Sequence, residues 1–311
     1  MKYISVPGRH LTYAMVNRAI EEAFAEHGRG HVQMPPKVYI TFDAGDFRTM
    51  PAYMPGLEIA GVKIVNVHPR NHERGLPTIM ALTIILNIDT GLPEAIINAT
   101  ELTTMRTGAA GAVAAKYLSP KREVTLGIIG SGQQAEAQLM AVSEELNVNE
   151  VRVWTRTAQH AEEFAARYDR YNARSVPIER ACDCDILITT TPSRKPLIRD
   201  AWVHEGTHIN AIGADAPKKQ ELDPALLLRA DVYVDDRKQA VHSGEINVPV
   251  STGLYSPDMI AGTLGEVVIL EKKRSRKEAI TIFDSTGLAV QDLAIAKIAI
   301  KEAEGIELPF P

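Results

Sequence analysis

Cysteine is scarce in this chain: only Cys182 and Cys184 occur among 311 residues. We expect both to be strand residues, and two residues so close together on one strand have poor geometry for a disulfide. The sequence around them shows no histidine or carboxylate cluster with the spacing of a zinc site. We therefore expect two reduced thiols, as is usual in the cytoplasm, and no bound metal.

Long hydrophobic runs and an excess of positive charge are also missing. No run approaches the roughly 18 apolar residues of a membrane span. The N-terminal segment MKYISVPGRHLTY has no apolar core or cleavage site, so we expect no signal peptide. The formal net charge is −5, which gives no overall attraction to nucleic acid or to an anionic membrane surface. These absences favour a cytoplasmic protein with a small-molecule substrate.

The pattern of the remaining residues predicts two kinds of architecture. Residues 12–28 have the apolar spacing of a helix, and the segment from Lys37 to Ile97 contains strand-like runs separated by turns, typical of an antiparallel or mixed sheet. An alanine-rich helix follows over Thr100–Leu118. Beyond a polar break at residues 119–122, strands alternate with helices, which predicts a doubly wound parallel sheet. The fold class is therefore α/β, a Rossmann-type domain joined to an α+β domain.

The most informative motif is a glycine-rich loop in LGIIGSGQQAEAQ. Gly130, Gly132 and Ala135 fit the pattern G-x-G-x-x-A between a hydrophobic strand and a helix. The first glycine permits a tight turn, the second permits close approach of a pyrophosphate, and the small third residue lets the helix pack on the strand. The free N–H groups at the helix N-terminus then favour phosphate. The loop predicts a dinucleotide site.

The end of the next strand bears on the choice of nucleotide. An acidic residue that binds the ribose 2′-hydroxyl of NAD is expected there, but the sequence has Thr155, Arg156 and Thr157. An arginine pairs well with a 2′-phosphate through a charge-assisted contact. We therefore predict NAD(P) as cofactor with a preference for NADP, and the alternative is that Arg156 is a solvated loop residue.

Several cations occur in strand-like or apolar surroundings of the first half. They are Lys37, Arg48, Lys63 and Arg106. A buried charge is costly unless it is paired, so such a group of cations suggests a site for a substrate carboxylate; for Lys63 alone, a solvent-facing strand position is the simpler alternative.

An acid–base group is expected at the carboxyl end of a predicted parallel strand, where ligands bind in such sheets. Asp215 follows the strand-like segment THINAIG and is our candidate for proton transfer. His68 and His208 are alternatives, although a structural role is the more common one for such histidines.

Taken together, these segments resemble the ornithine cyclodeaminase/mu-crystallin family over nearly the whole chain. The similarity rests on motifs that include VKIVNVHPRN, GLPT, MRTGAAGAVAAKYL, GIIGSGQQA, TTTPSRKP, THINAIGADAPKKQEL and ITIFDSTGLAVQD. The resemblance implies a homodimer. Residues 1–118 with the C-terminal helix 288–311 would form the substrate-binding and dimerisation domain, and residues 119–287 would form the NAD(P)-binding Rossmann domain.

The resemblance also implies roles for individual residues. Lys63 and Asp215 match catalytic positions, and Lys37, Arg48, Thr78 and Arg106 match substrate-binding positions. The implied cofactor-binding positions are Thr107, Gly130, Ser131, Gly132, Gln133, Ala135, Thr155, Arg156, Thr157, Thr191 and Ser285.

Within the family, the sequence is most similar to the archaeal type of alanine dehydrogenase. That similarity predicts NAD(P)-dependent oxidative deamination of L-alanine to pyruvate and ammonia, and the reverse reaction. Ornithine cyclodeaminases of the family have an acidic residue where this chain has Arg48, and an arginine would repel the distal ammonium of ornithine. The alternatives are ornithine cyclodeamination, reduction of a cyclic imine such as pyrroline-2-carboxylate, and a crystallin-like protein that binds NADPH without turnover.

Overall fold

The computed structural model describes residues 1–310 and divides into two compact units. The first unit contains residues 1–106 and the described residues from Leu288 onward, and the second contains residues 107–287. The division falls within the helix that begins at Thr100, twelve residues before the polar break that marks the boundary in the sequence.

Ten helices and seventeen strands are assigned within the described residues. The helices are α1 (Tyr13–Gly28), α2 (Thr100–Leu118), α3 (Gln133–Val142), α4 (Ala158–Arg167), α5 (Ile178–Cys182), α6 (Pro224–Arg229), α7 (Arg237–Ser243), α8 (Asn247–Ser251), α9 (Leu264–Val268) and α10 (Ala289–Glu302). The strands are β1 (Lys2–Ile4), β2 (Val38–Phe42), β3 (Gly45–Met54), β4 (Ile59–Val67), β5 (Ile79–Leu86), β6 (Pro93–Asn98), β7 (Glu123–Ile129), β8 (Asn147–Trp154), β9 (Ala173–Ser175), β10 (Ile186–Thr189), β11 (Arg194–Ile198), β12 (His208–Ala211), β13 (Gln220–Leu222), β14 (Asp231–Val234), β15 (Gly262–Thr263), β16 (Thr281–Asp284) and β17 (Ile306–Glu307).

The first unit is built on a mixed sheet with the strand order β17-β1-β6-β5-β4-β3-β2. All neighbours are antiparallel except β1 and β6. Helix α10 packs on one face of this sheet, against β3, β4 and β5, and α1 packs against α10. Gly61 makes the close approach of α10 possible, because a Cβ atom there would lie 3.2 Å from Leu293 Cδ2 and 2.2 Å from Ile84 O.

Among the turns expected between the strand-like runs is the segment DAGD, residues 43–46, and it is only partly a turn. Gly45 and Asp46 begin the long strand β3, which pairs with β2 on one side and β4 on the other. Pro51 lies inside this central strand opposite Val62. Proline cannot donate a hydrogen bond to a neighbouring strand and is rare in central strands, so the local sequence argues against the strand that forms.

The second unit has the predicted doubly wound sheet, so the predicted fold class is confirmed. Its strand order is β15-β14-β16-β12-β10-β7-β8-β9, and every pair is parallel. The order runs in opposite directions on either side of the β7–β10 pair, which is the topological switch point where ligands bind in such sheets. The glycine-rich loop leaves the carboxyl end of β7 at this point.

The expectation that both cysteines are strand residues is wrong. Cys182 ends α5 and Cys184 precedes β10, because the turn between helix and strand falls between them. Both thiols are free. Among the described residues, no helix is long and apolar enough to cross a membrane, and no group of three or more His, Cys, Asp or Glu is placed to hold a metal ion.

Candidate active site

The glycine-rich loop of the second unit has the geometry that a dinucleotide requires. Gly130 has a φ of +112°, a backbone conformation that side chains disfavour, and a Cβ atom there would lie 2.6 Å from Thr190 Oγ1. Gly132 is exposed and a Cβ atom there would meet nothing within 4 Å. It is the N-cap of α3, and no side chain caps that helix. The first N–H groups of α3 are therefore available to a pyrophosphate.

A cavity of about 980 Å³ opens beside this loop. Seven of the predicted cofactor residues line it: Gly130, Ser131, Gly132, Thr155, Arg156, Thr157 and Thr191. Arg156 is exposed, and further basic side chains line the same cavity, namely His160, Arg167, Arg194 and Lys195, together with the acidic Glu163. The volume, the uncapped helix and the surplus of positive charge fit a dinucleotide with several phosphate groups.

The other predicted cofactor residues lie outside the lining of this cavity. Gln133 is exposed at the start of α3, and Ala135 is buried in the first turn of that helix. Thr107 is buried in α2, where its carbonyl accepts a hydrogen bond from Gln138 Nε2 at 2.9 Å. Ser285 is buried after β16, and its N–H donates to Ala211 O. The contact with Gln138 joins Thr107 to α3.

Thr191 is held by a buried carboxylate that the sequence analysis did not identify. Glu221 Oε1 accepts hydrogen bonds from the Thr191 N–H at 2.6 Å and from the Thr191 hydroxyl at 2.7 Å. Glu221 Oε2 accepts a third from the Gly213 N–H at 3.0 Å. Burial raises the pKa of Glu221, while these hydrogen bonds oppose the shift. Glu221 thus joins the loops that follow β10 and β12.

In the first unit, two of the predicted cations meet at one carboxylate. Lys63 Nζ, on β4, lies 2.6 Å from Asp292 Oδ1, and Arg106 Nε, on α2, lies 2.9 Å from the same oxygen. All three side chains are buried. Arg106 Nη1 also donates to Gln291 Oε1 at 2.9 Å. Two cations share one carboxylate, so the trio carries a net positive charge when Lys63 is protonated.

The environment of Lys63 changes its acidity. Burial is the largest influence and lowers the pKa of Lys63 to about 7, with smaller contributions in the same direction from Arg106 and Lys37. The ion pair with Asp292 opposes that shift. Lys63 can therefore gain and lose a proton near neutral pH, which suits proton transfer to a substrate.

The remaining predicted substrate residues, Lys37, Arg48 and Thr78, belong to the same unit as this trio. Lys37 is half-buried just before β2 and is close enough to act on Lys63. Arg48 is buried on β3, with its Nε 2.8 Å from Asp46 Oδ1 and its guanidinium over the ring of Tyr39 at 5.1 Å. Thr78 is exposed just before β5, and its carbonyl accepts the His68 N–H at 2.8 Å. Thr78 is therefore exposed, whereas the trio is buried.

Asp215 lies four residues beyond the end of β12 in the second unit, at the carboxyl edge of the parallel sheet. Its Oδ1 is 2.5 Å from Lys219 Nζ, and the side chain is partly exposed. His208 is fully buried, between Thr281 Oγ1 and Asn210 Oδ1, and burial lowers its pKa to about 3. His208 therefore stays neutral and has a structural role, whereas Asp215 is accessible for proton transfer.

Sequence reasoning missed Asp292, Gln291 and Glu221. The one signal that could have shown Asp292 is an acidic residue within the otherwise apolar sequence of α10, AVQDLAIAKIAI. An acid in such a helix is rarely buried without a partner. Its partners come from β4 and α2, so their contact depends on the tertiary fold.

Comparison with known families identifies the chain. The sequence matches the model of the ornithine cyclodeaminase/mu-crystallin family over residues 3–306. The chain belongs to this family. It is 50% identical to an alanine dehydrogenase of Archaeoglobus fulgidus over 92% of this chain and 89% of that protein.

Solved structures agree with the sequence comparison. An archaeal alanine dehydrogenase dimer with bound NAD superposes with a TM-score of 0.93 at 44% identity, over 99% of both chains. A Thermococcus litoralis Δ1-pyrroline-2-carboxylate reductase, in complex with NADH and L-proline, gives a TM-score of 0.93 at 32% identity, over 99% of this chain and 100% of that one. The protein is an enzyme, an oxidoreductase of this family.

Proposed function

We propose that the protein is an NAD(P)-dependent alanine dehydrogenase. In the net reaction, L-alanine, water and the oxidised cofactor give pyruvate, ammonium, the reduced cofactor and a proton. The observation that carries the proposal is the buried trio of Lys63, Arg106 and Asp292, which has a net positive charge suited to a carboxylate when Lys63 is protonated. Similarity to an alanine dehydrogenase at 50% identity supports the choice of substrate. We further propose a cytoplasmic location.

Each residue then has a separate task. Arg106 and Lys63, with Lys37 or Arg48, bind the substrate carboxylate and polarise the carbonyl or imine. Asp215 moves protons to and from the nitrogen or the attacking water. A bound nicotinamide supplies the remaining chemistry by accepting hydride from the substrate Cα.

The test is turnover of alanine, ornithine and proline in separate reactions with each oxidised cofactor. Alanine should yield reduced cofactor. Release of ammonia from ornithine without reduced cofactor would point to cyclodeamination instead. Reduced cofactor with proline alone would point to an imine reductase, the activity named for the Thermococcus litoralis relative.

For the cofactor, we propose a preference for NADP. Arg156 lies in the cavity of the second unit between Thr155 and Thr157, where an NAD-specific site has an acid. The relatives described above were crystallised with NAD or NADH. The proposal for NADP therefore rests on Arg156 and the other cations of the cavity.

Replacing Arg156 with alanine should weaken binding of NADPH far more than binding of NADH. One charge-assisted contact to the 2′-phosphate contributes about 1.5–3 kcal/mol, or about 10- to 100-fold in Kd. The measurement is the Kd of each reduced cofactor by fluorescence titration. Arg180→Ala, which removes an exposed arginine outside the cavity lining, is the control and should leave both constants unchanged. An equal loss for both cofactors, or a wild-type preference for NADH, would refute the role.

We propose that the first unit forms the interface of a homodimer. On β3, β4 and β5, alternate residues face α10, and the residues between them form the other face of the sheet. This outer face, extended by β2, is largely apolar: beside Thr49 and Asn66 it presents Val38, Ile40, Phe42, Phe47, Pro51, Tyr53, Val62, Ile64, Leu82 and Ile84, all exposed or only partly buried. A large exposed apolar face of this kind marks a protein interface. The archaeal alanine dehydrogenase relative is a dimer, which favours a second copy as the partner.

Leu82→Asp should convert the dimer to a monomer. Leu82 lies on β5 near the centre of the outer face and is 43% exposed, so a buried charge would arise only in the dimer. The measurement is the molar mass by light scattering after size-exclusion chromatography. Leu228→Asp, at an exposed leucine of α6 in the second unit, is the matched control and should remain dimeric. A monomeric wild type, or a dimeric Leu82 variant, would contradict the proposed interface.

A further inference from the structure

We infer that Asp292 is the positioning residue of the substrate site, and that its carboxylate favours the ammonium form of Lys63 and restrains Arg106 through an ion pair. The inference deepens the proposed function and rests on it, because that function makes Lys63 and Arg106 contacts of the substrate. Asp292 itself acts through these two residues and not through a contact of its own with the substrate.

The geometry places one carboxylate oxygen between two cations. Asp292 Oδ1 lies 2.6 Å from Lys63 Nζ and 2.9 Å from Arg106 Nε. Asp292 is 3% exposed and Lys63 is 1% exposed, so water screens this interaction weakly. At these distances inside a protein, the attraction strongly favours the charged form of the lysine.

The guanidinium of Arg106 is held at two points by consecutive residues of α10. Asp292 binds Nε, and Gln291 Oε1 accepts a hydrogen bond from Nη1 at 2.9 Å. Gln291 Oε1 also accepts the Leu288 N–H at 3.3 Å, which ties it to the start of the helix. The contact with Gln291 is a directional hydrogen bond and the contact with Asp292 is an ion pair, so together they restrain the guanidinium. Carboxylate recognition by arginine depends on the orientation of that group.

The cations around Lys63 lower its pKa, whereas Asp292 raises it. Arg106 from α2 and Lys37 from the segment before β2 both lower the pKa of Lys63, as burial does. Arg48, on β3, lies opposite Val65 and is on the face of the sheet that also carries Lys63. It is paired with Asp46. Asp292 is the carboxylate that acts on Lys63 against these cations, and with it the pKa of Lys63 is about 7.

The position of Asp292 has a consequence for binding. An arriving substrate carboxylate adds a second negative charge beside Lys63 and favours its ammonium form further. Without Asp292, Arg106 and Lys37 would still lower the pKa of Lys63, and the neutral amine would predominate at pH 7 in the empty site. The site would then lose a charge that it needs for capture of the substrate.

The experiment is a titration of Lys63 by NMR in protein labelled with 13C at the lysine Cε, without substrate or cofactor. The Lys63 signal is assigned by its absence from a Lys63→Met variant. In Asp292→Asn, the Lys63 inflection should move about 1–3 pH units lower, so that the protonated fraction at pH 7 falls from about one half to about one tenth or less. Asp292→Glu keeps the charge and should titrate close to the wild type.

The titration of Lys63 is accompanied by a control variant and by a second titration, that of Asp292. Glu73→Gln, which breaks an exposed ion pair with Arg70 in the same unit, is the control and should leave the Lys63 inflection in place. If Asp292→Asn does not fold, wild-type protein labelled with 13C at the aspartate carboxyl carbon is titrated instead. The Asp292 signal, assigned by its absence from Asp292→Glu, should show a step at the pH where Lys63 titrates. An unmoved Lys63 inflection in Asp292→Asn, or no such step in Asp292, would overturn the inference.

The titration is independent of the proposed reaction. If Lys63 responds to Asp292 as expected but alanine is not oxidised, the positioning role of Asp292 is supported and the proposed substrate is refuted. If alanine is oxidised and the Lys63 inflection is at the same pH in wild type and Asp292→Asn, the proposed function stands and the inference is overturned.

Discussion

Asp215→Asn should lower kcat for alanine oxidation by about 100- to 10,000-fold, the range expected when a positioned acid–base group is removed. Asparagine has the shape of aspartate but cannot take up a proton at neutral pH. Cofactor affinity should change little, since Asp215 is outside the lining of the dinucleotide cavity. The measurement is steady-state kcat together with the Kd of the reduced cofactor.

The ion pair between Asp215 and Lys219 supplies the matched control. Lys219→Gln breaks the 2.5 Å contact but leaves the carboxylate in place, so kcat should fall by less than about tenfold. If both variants lose activity equally, the contact with Lys219 matters and proton transfer by Asp215 does not explain the loss. If Asp215→Asn keeps most of its kcat, the proton must pass through Lys63 instead.

The second large effect concerns the choice between alanine and ornithine. At 4 Å and an effective dielectric constant near 20, a guanidinium and an ammonium repel each other by about 4 kcal/mol. The methylene groups of ornithine recover only about 0.8 kcal/mol each in an apolar pocket. Arg48→Glu removes the repulsion and adds an attraction, so the ratio of kcat/KM for ornithine over alanine should rise by about 10- to 1,000-fold.

The ion pair between Asp46 and Arg48 should reduce the change in the ratio of kcat/KM. Because Asp46 lies 2.8 Å from the Arg48 Nε, it neutralises part of the arginine's charge and places the expected change toward the lower end of that range. Arg48→Gln removes the charge without adding an acid and should give an intermediate ratio. Efficient turnover of ornithine by the wild type would mean that Arg48 does not face the distal end of the substrate.

Local patterns were sufficient to predict the parallel sheet and the glycine-rich loop. A buried strand, a Gly-x-Gly turn and a helix follow one another within twenty residues of the chain, so the signal does not depend on distant contacts. Helix α1 was equally clear, since Thr12 is its N-cap and accepts a hydrogen bond from the Met15 N–H. These features are properties of neighbouring residues.

The parts that could not be predicted depend on residues that are far apart in sequence. Strands β1 and β17 each have three residues or fewer and are defined by pairing between the two ends of the chain. The partner of Lys63 and Arg106 was missed for the same reason, because Asp292 reaches them only when α10 packs on β4. Local sequence indicated the cations Lys63 and Arg106 but not the carboxylate that pairs with both of them.

The most direct test of the proposed function is the ratio of products when alanine is the sole amino acid. Purified protein is incubated with L-alanine and NADP+, and in a parallel reaction with NAD+, while reduced cofactor, ammonia and pyruvate are measured over time. We expect all three products to appear in equal amounts, and faster with NADP+ than with NAD+. Absence of pyruvate and of reduced cofactor with alanine, in a preparation that releases ammonia from ornithine or reduces a cyclic imine, would contradict the assignment.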